Sequence, residues 1–205
     1  SSLKFRGVGP AITSGRISDF AVHPNDRSTY YVATASGGVW KTTNSGTTWM
    51  PIFDDQPSYS IADVAIDPNN PFIVWVGTGE AANRNSSAWG DGIYKSIDGG
   101  KTFKNMGLES THQIAEIATH PTNPDIVYNL STGSICGTGG SFTINNLKTG
   151  QNEIRPIWPE STFGTPATEF KYRFNWHMPF FLSSHDNKTF YAAANVVFRS
   201  TDEGM

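Results

Sequence analysis

The feature that most constrains this chain is an internal repeat. Each repeat opens with an alternating apolar run, passes through a turn containing Pro, Asn or Asp, and continues into a second apolar run around an aromatic residue. The repeats occupy 17–33, 61–77, 114–130 and 175–193, with the turns HPND, DPNN, HPTN and SHDN. Apolar runs on both sides of such turns are typical of antiparallel hairpins. A hairpin that recurs along the chain predicts a repeat architecture.

A third predicted strand follows each hairpin, at 37–43, 92–97, 140–144 and 196–201. A short phrase comes next, TTNSGTTW at 42–49 and SIDGGKTF at 96–103, and it leads into a fourth strand. Four antiparallel strands per repeat define a propeller blade, so we expect an all-β, incomplete β-propeller with about four visible blades. The expected blades are 1–53, 54–107, 108–158 and 159–205.

The phrase predicts a turn between the third and fourth strands of a blade. Its acid or amide would accept backbone N–H groups, its glycine would take a positive φ, and its aromatic residue would pack beneath the turn. These structural residues are Asn44, Gly46, Trp49, Asp98, Gly100, Phe103, Asp202 and Gly204. Calcium binding is the alternative, but each turn offers one carboxylate at most, whereas calcium takes six or more oxygen ligands. We expect no metal here.

This phrase resembles the Asp-box, or bacterial neuraminidase repeat, of β-propeller proteins. The closest likeness is to large secreted bacterial proteins with sortilin-type propellers. The stretches that carry it are SGGVWKTTNSGTTW (36–49), VWVGTGEAANRNSSAWGDGIYKSIDGGKTF (74–103) and YRFNWHMPFFLSSHDNKTFYAAANVVFRSTDEG (172–204). The resemblance implies an extracellular, cell-surface or periplasmic location, although the chain opens without a signal peptide. It also implies a ligand that is a protein segment or a glycan.

One stretch departs from the family pattern. Residues 131–152 read STGSICGTGGSFTINNLKTGQN and hold a degenerate version of the phrase at 143–150. We expect material to be missing near 131–139, and the last phrase stops before its aromatic residue. The chain is therefore interpreted as a fragment, or as parts of a longer polypeptide. The alternative is a compact four-bladed propeller.

Composition excludes several classes of function. The net charge is −3 and the basic residues are scattered, which argues against a nucleic-acid partner. Cys136 is the single cysteine, so the chain has neither an internal disulfide nor Cys/His metal spacing. No apolar run is long enough to cross a bilayer. We expect no cofactor.

The sequence lacks several residues that the enzymes of this fold need. The sialidase signature is absent. The stretch EIRPIW at 153–158 resembles that signature only superficially, and we expect it to lie in a Pro-rich loop. Xyloglucanase-type propellers carry a catalytic Asp before a Gly-Gly-aromatic stretch, where this chain has Ala35 and Ser36. The sequence therefore favours a non-catalytic binding or scaffold propeller. The alternative is a glycoside hydrolase whose carboxylates lie partly outside this chain. A third possibility is a subunit of a larger assembly.

Two polar and aromatic clusters are candidate binding sites. The loop 77–92 offers Glu80, Asn83, Arg84, Trp89 and Asp91, and exposed Trp beside amides and carboxylates suits a glycan or a peptide. Glu80 and Asp91 form a possible carboxylate pair, while Trp89 packed on a neighbouring blade is the structural alternative. In 171–181, alternation predicts that one strand face holds Arg173, Asn175 and His177.

Overall fold

The computed structural model is all-β in the part of the chain that it describes. It describes residues 16–81, 87–120, 123, 126–131, 141–146, 149, 151–159, 165–166, 168–174, 178–183, 185–186 and 188–202. These residues form antiparallel strands and contain no helix. The predicted fold class is confirmed.

Successive strands form four sheets, and within each sheet the strands follow chain order. The first two sheets consist of β1 (Ile17–Val22), β2 (Tyr30–Thr34), β3 (Val39–Thr42) and β4 (Met50–Pro51), then β5 (Ile61–Ile66), β6 (Val74–Thr78), β7 (Ile93–Ser96) and β8 (Lys104–Asn105). The third and fourth consist of β9 (Ile114–Thr119), β10 (Ile126–Ser131), β11 (Ser141–Asn146) and β12 (Gln151–Pro156), then β13 (Phe180–Leu182), β14 (Phe190–Ala193) and β15 (Val197–Ser200).

The sheets pack face to face around apolar clusters. Tyr31 and Phe53 of the first sheet meet Val64 and Val76 of the second. A second cluster joins the next pair of sheets through Trp75, Ile93, Ile114, Ile117 and Val127. A third joins the last pair through Tyr128, Phe142, Phe180 and Phe190. Both faces of an inner sheet are thus covered, which explains why β6 is buried along its whole length.

The first strands β1, β5 and β9 lie side by side on the inner edge of the sheets. Each carries an acid at the same repeat position. Asp19 on β1 accepts the Val64 N–H of β5 at 3.3 Å, and Asp63 on β5 accepts the Ile117 N–H of β9 at 2.6 Å. Hydrogen bonds from backbone N–H groups to these acids therefore join the first sheet to the second and the second to the third.

The third inner acid, Glu116, is half-buried and lies near Asp19. Burial, followed by the charge of Asp19, raises the pKa of Glu116 to about 7. The same two causes hold the pKa of Asp63 well above its usual range. In both carboxyls the charged form is disfavoured, because each is withdrawn from water to some extent and lies close to another acid.

The two complete phrases form matching turns after β3 and β7. The Asp98 carboxylate accepts the backbone N–H groups of Lys101 and Thr102 at 3.0 and 2.9 Å. Asn44 Oδ1 accepts the N–H of Thr48 at 2.9 Å. The glycines take φ values of 84° at Gly46 and 85° at Gly100, a region that favours residues without a side chain.

The third phrase is described in its first residues. Ser200 donates to the Asp202 carboxylate at 2.6 Å, as Ser96 does to Asp98 at 2.7 Å. The opening of the turn is therefore the same in the two places. Gly204 lies outside the described residues.

Two local predictions are wrong. The stretch 153–158 is not a Pro-rich loop, because β12 runs from Gln151 to Pro156 and pairs with β11 along its length. The expected strand at 171–181 begins at Phe180, whereas 171–172 form a bend and 173–174 belong to no strand. In both places the Pro and aromatic pattern was ambiguous, and pairing with a neighbouring strand decided the outcome. The segment 132–140, where material was expected to be missing, lies outside the described residues.

Candidate functional site

A cavity of about 210 Å³ opens where the inner strands begin. It draws residues from the first three sheets, so it lies at the inner mouth of the propeller. Its lining residues are Arg16, Ile17, Ser18, Ala35, Ile61, Ala62, Glu80, Ala81 and Ala115. Most of these side chains are small and apolar, and the charged members are one arginine and one glutamate.

Glu80 is the acid of this cavity and is 6% exposed. Glu80 lies two residues after the end of β6. The chain leaves the strand at Thr78 and turns at Gly79, whose φ is 91°. Its backbone is fixed on both sides: the Gly79 N–H donates to Ser60 O at 2.8 Å and the Glu80 N–H to Ala88 O at 3.0 Å. Its carboxylate is paired with the guanidinium of Arg16, which is about half exposed. The ion pair joins the first sheet to the second.

Ala35, which stands where a xyloglucanase-type acid was expected, lines the same cavity. The ends of β2 and β6 are built alike, since the Thr34 hydroxyl donates to Gly38 O and the Thr78 hydroxyl to Gly92 O, at 2.9 and 2.7 Å. In this alignment Gly79 corresponds to Ala35, and Glu80 to the next residue. A carboxylate therefore enters the cavity from the second sheet.

Trp89 lies in the same loop and is 69% exposed. One face of its indole stacks on the His112 ring, with centroids 4.1 Å apart and planes 24° apart. The neighbouring Gly90 N–H donates to His112 O at 2.8 Å. Trp89 thus packs one face on a residue that precedes the third sheet, in line with the structural alternative, while most of its surface stays exposed.

Asp91 does not form a carboxylate pair with Glu80. Its Oδ2 accepts the Tyr94 hydroxyl at 2.6 Å, and its Oδ1 lies 3.2 Å from the Thr78 hydroxyl. Burial and then this bond to Asp91 raise the pKa of Tyr94 to about 12. The Asp91 carboxylate therefore stabilises the end of β6 through its contacts with Thr78 and Tyr94. Asn83 and Arg84 lie outside the described residues.

The second predicted cluster is placed only in part. Arg173 is exposed, and its backbone N–H donates to the Asn195 side chain at 2.8 Å. Arg173 belongs to no strand, so the alternation of side chains along a strand does not apply to it. Asn175 and His177 lie outside the described residues.

Sequence reasoning missed Arg16 and His112, and both contact the loop that holds Glu80. The repeats contained a usable signal, because Arg16, Ser60 and Gln113 each stand directly before an inner strand. Arg16 reaches Glu80, Ser60 accepts the Gly79 N–H, and Gln113 donates to Ser87 at 2.6 Å. The first and third sheets thus hold the loop of the second from both sides.

A larger cavity of about 530 Å³ lies between the third and fourth sheets. Its walls include Phe142, Phe190 and Phe198, and its acid, Asp202, already accepts the Ser200 hydroxyl. It is less suited to acid–base chemistry than the mouth cavity.

No group of three or more metal-ligating acids, histidines or cysteines occurs among the residues that the structure describes. Within the same residues, no helix has the length and apolar character needed to cross a membrane.

No family model matches the chain. A curated relative, the oligoxyloglucan-reducing end-specific xyloglucanase of Emericella nidulans, is 29% identical over 101 residues, which are 46% of this chain and 12% of the relative. The likeness is therefore confined to a small part of that protein.

Solved structures resemble a larger share of the chain. An ancestral GH74 enzyme matches with a TM-score of 0.69 at 18% identity, over 100% of this chain and 25% of that one. The GH74 enzyme of Niastella koreensis gives a TM-score of 0.58 at 20% identity, and the GH74 xyloglucanase of Xanthomonas campestris gives 0.63 at 15%. Each of these matches covers 90% of this chain and 28% of the other. The chain is thus propeller-like and spans about a quarter of these structures.

These comparisons correct the functional interpretation. The sequence favoured a non-catalytic binding or scaffold propeller, and that interpretation is wrong: the curated relative and the structural neighbours are glycoside hydrolases. Ala35 leaves the first strand end without an acid, but Glu80, which the sequence offered only as a candidate binding residue paired with Asp91, lines the same cavity from the neighbouring strand end.

Proposed function

We propose that this chain is part of a propeller glycoside hydrolase that cleaves a β-glucan of the xyloglucan class. The observation that carries the proposal is the buried Glu80 carboxylate in the mouth cavity, beside Ala35. The similarity to xyloglucanases supports the substrate class. This similarity covers only part of the length of those proteins, so the activity of the whole protein is a proposal that a hydrolysis experiment must test.

Glu80 is assigned the role of one of the two carboxylates that glycosidic hydrolysis needs. A carboxylate paired with a guanidinium is available as a base or a nucleophile, and Arg16 holds it in a fixed direction. The small side chains around it leave room for a sugar. The inner acids Asp63 and Glu116 are assigned structural roles because neither lines the cavity. We place the second catalytic carboxylate outside the described residues.

The test is hydrolysis of xyloglucan by the full-length protein and by its Glu80→Gln variant, measured as reducing ends released. Loss of a catalytic carboxylate is expected to lower kcat by about 10²–10⁴-fold. Gln keeps the shape and one hydrogen bond to Arg16, so the Tm should change little. The matched control is Glu169→Gln, which changes an exposed carboxylate in the same way.

Two results would overturn the proposal. One is a wild-type protein that releases no reducing ends from xyloglucan or from another β-linked glucan. The other is a Glu80→Gln variant that stays as active as Glu169→Gln. If Glu80→Gln lowers the Tm markedly, Glu80→Asp provides the second test: it keeps the charge and shifts the carboxylate, so kcat should fall while stability is retained.

Further assignments stay predictions. The matching turns at Asn44 and Asp98 support membership of the Asp-box class, and the closer sortilin-type likeness awaits a test. We also propose export to the cell surface or beyond, since xyloglucan is a large polymer. Three other expectations also remain predictions: the blade boundaries 1–53, 54–107, 108–158 and 159–205, a protein ligand, and membership of a larger assembly.

A further inference from the structure

We infer that Trp89 is a sugar-stacking platform that binds a pyranose ring of the glucan next to the mouth cavity. This inference rests on the proposed function for its choice of glucan. Its geometry is independent of Glu80 chemistry. The indole is 69% exposed, and among the large hydrophobic side chains of the described residues only Ile97 and Val197 are more exposed, by 1–2%.

The platform is built before any ligand arrives. His112 backs one indole face at 4.1 Å, so the side chain cannot fold down onto that side. The residues before and after Trp89 are pinned, because Ala88 O accepts the Glu80 N–H at 3.0 Å and the Gly90 N–H donates to His112 O at 2.8 Å. An ordered aromatic face loses little conformational entropy on binding, which favours affinity.

The surroundings favour a sugar over an apolar peptide. A pyranose ring has a flat face of C–H groups and a rim of hydroxyls. Trp89 offers the flat apolar surface, and Ser87, two residues before it, offers a polar group together with its hydrogen-bond partner Gln113. The Glu80 N–H donates to Ala88 O, so the backbone just before Trp89 is tied to the residue that supplies the cavity carboxylate. On the proposed function, a sugar stacked on Trp89 would belong to the same glucan chain that enters the cavity.

The test measures binding apart from cleavage. The dissociation constants of xyloglucan and cellohexaose are measured with the full-length protein carrying Glu80→Gln, and then with Trp89→Ala added. Loss of the stacking surface should raise Kd by about 10–30-fold. Trp49→Ala is the matched control, since Trp49 is 41% exposed but packs edge-on against Tyr30. It should leave Kd within about twofold.

The conservative variant Trp89→Phe keeps an aromatic face and should restore most of the affinity, which a purely structural role would not require. His112→Ala should weaken binding less than Trp89→Ala, because the indole remains but loses its support. If Trp89→Ala fails to fold, Trp89→Phe and the ligand-induced change in tryptophan fluorescence decide the matter: the change should be present in the wild type and lost in Trp89→Phe.

The outcomes separate this inference from the proposed function. Unchanged glucan affinity in Trp89→Ala overturns the platform, whatever the activity of the protein. Weakened affinity in a protein that cleaves no β-glucan supports the platform and overturns the hydrolase. Binding of a proline-rich peptide at Trp89, with no binding of either glucan, overturns both.

Discussion

The first and second sheets share one frame and differ in what that frame carries. Both have an inner strand with an acid, a threonine that closes the end of the second strand, and a short outer strand after a glycine turn. At the strand end the first sheet has Ala35, whereas the second has Gly79 followed by Glu80. At the outer turn the first sheet has Trp49 and the second has Phe103.

The difference shows which residues of a repeat fold form a functional site. Residues that recur between sheets form the strands and turns, whereas the residues of the site differ from one sheet to the next. The second sheet has Glu80 where the first has Ser36, and a longer connection follows its second strand. Arg16 of the first sheet contacts this connection at Glu80, and His112 before the third sheet contacts it at Trp89. Loops on a rigid scaffold commonly carry function for this reason.

The largest effect is expected at the strand ends. Gly79→Ala should destabilise the protein by about 3 kcal/mol or more, from backbone strain combined with overpacking. Gly79 has a φ of 91°, and an added Cβ would overlap the carbonyl oxygen of His112. Chemical denaturation of the full-length protein measures the loss.

The matched change in the first sheet is Ala35→Gly. It removes a buried methyl group without conflict, so we expect a loss of about 1 kcal/mol. Equal losses at the two positions would mean that Gly79 is not held against His112 and that the two strand ends are interchangeable.

The outer turns give the second prediction. Phe103→Ala should destabilise by about 2–3 kcal/mol, because the ring packs on the buried Phe53 with centroids 5.0 Å apart. Trp49→Ala should cost about 1 kcal/mol or less, since its ring is 41% exposed and meets only Tyr30 among aromatic rings of the described part. Thermal melts of the two variants give the order, and a larger loss at Trp49 would contradict the structure.

The sequence predicted the frame because strands and turns leave local marks. Alternation, turn residues and the glycine phrase identified the hairpins and the strand order without any long-range information. At the site it identified Glu80 as a candidate but not its contacts, for a physical reason. Glu80, Arg16 and His112 belong to different sheets, and their meeting depends on how the sheets stack around the axis, which the sequence of one loop does not encode. Trp89 was found as a candidate, but its exposure could not be read from the loop sequence.

The smallest effect concerns the inner acids, where the comparison extends to the third sheet. Glu116 has a pKa of about 7 in the fold, raised from 4.5 by burial and by the charge of Asp19. A folded-state pKa above the unfolded value means that the protonated carboxyl favours the fold, so this contribution to stability is full below pH 4.5 and is lost as pH rises through 7.

The Glu116→Gln variant has no carboxyl to ionise, so its stability should not fall over this pH range. It should match the wild type at pH 4 and exceed it by about 1–2 kcal/mol at pH 8, a value reduced for the partial exposure of the group. Unfolding free energies across this range, with the exposed Glu169→Gln as control, test the sign. A variant less stable than the wild type at pH 8 would mean that ionised Glu116 contributes a favourable bond to the fold, and that the inner acids act by charge rather than by shared protons.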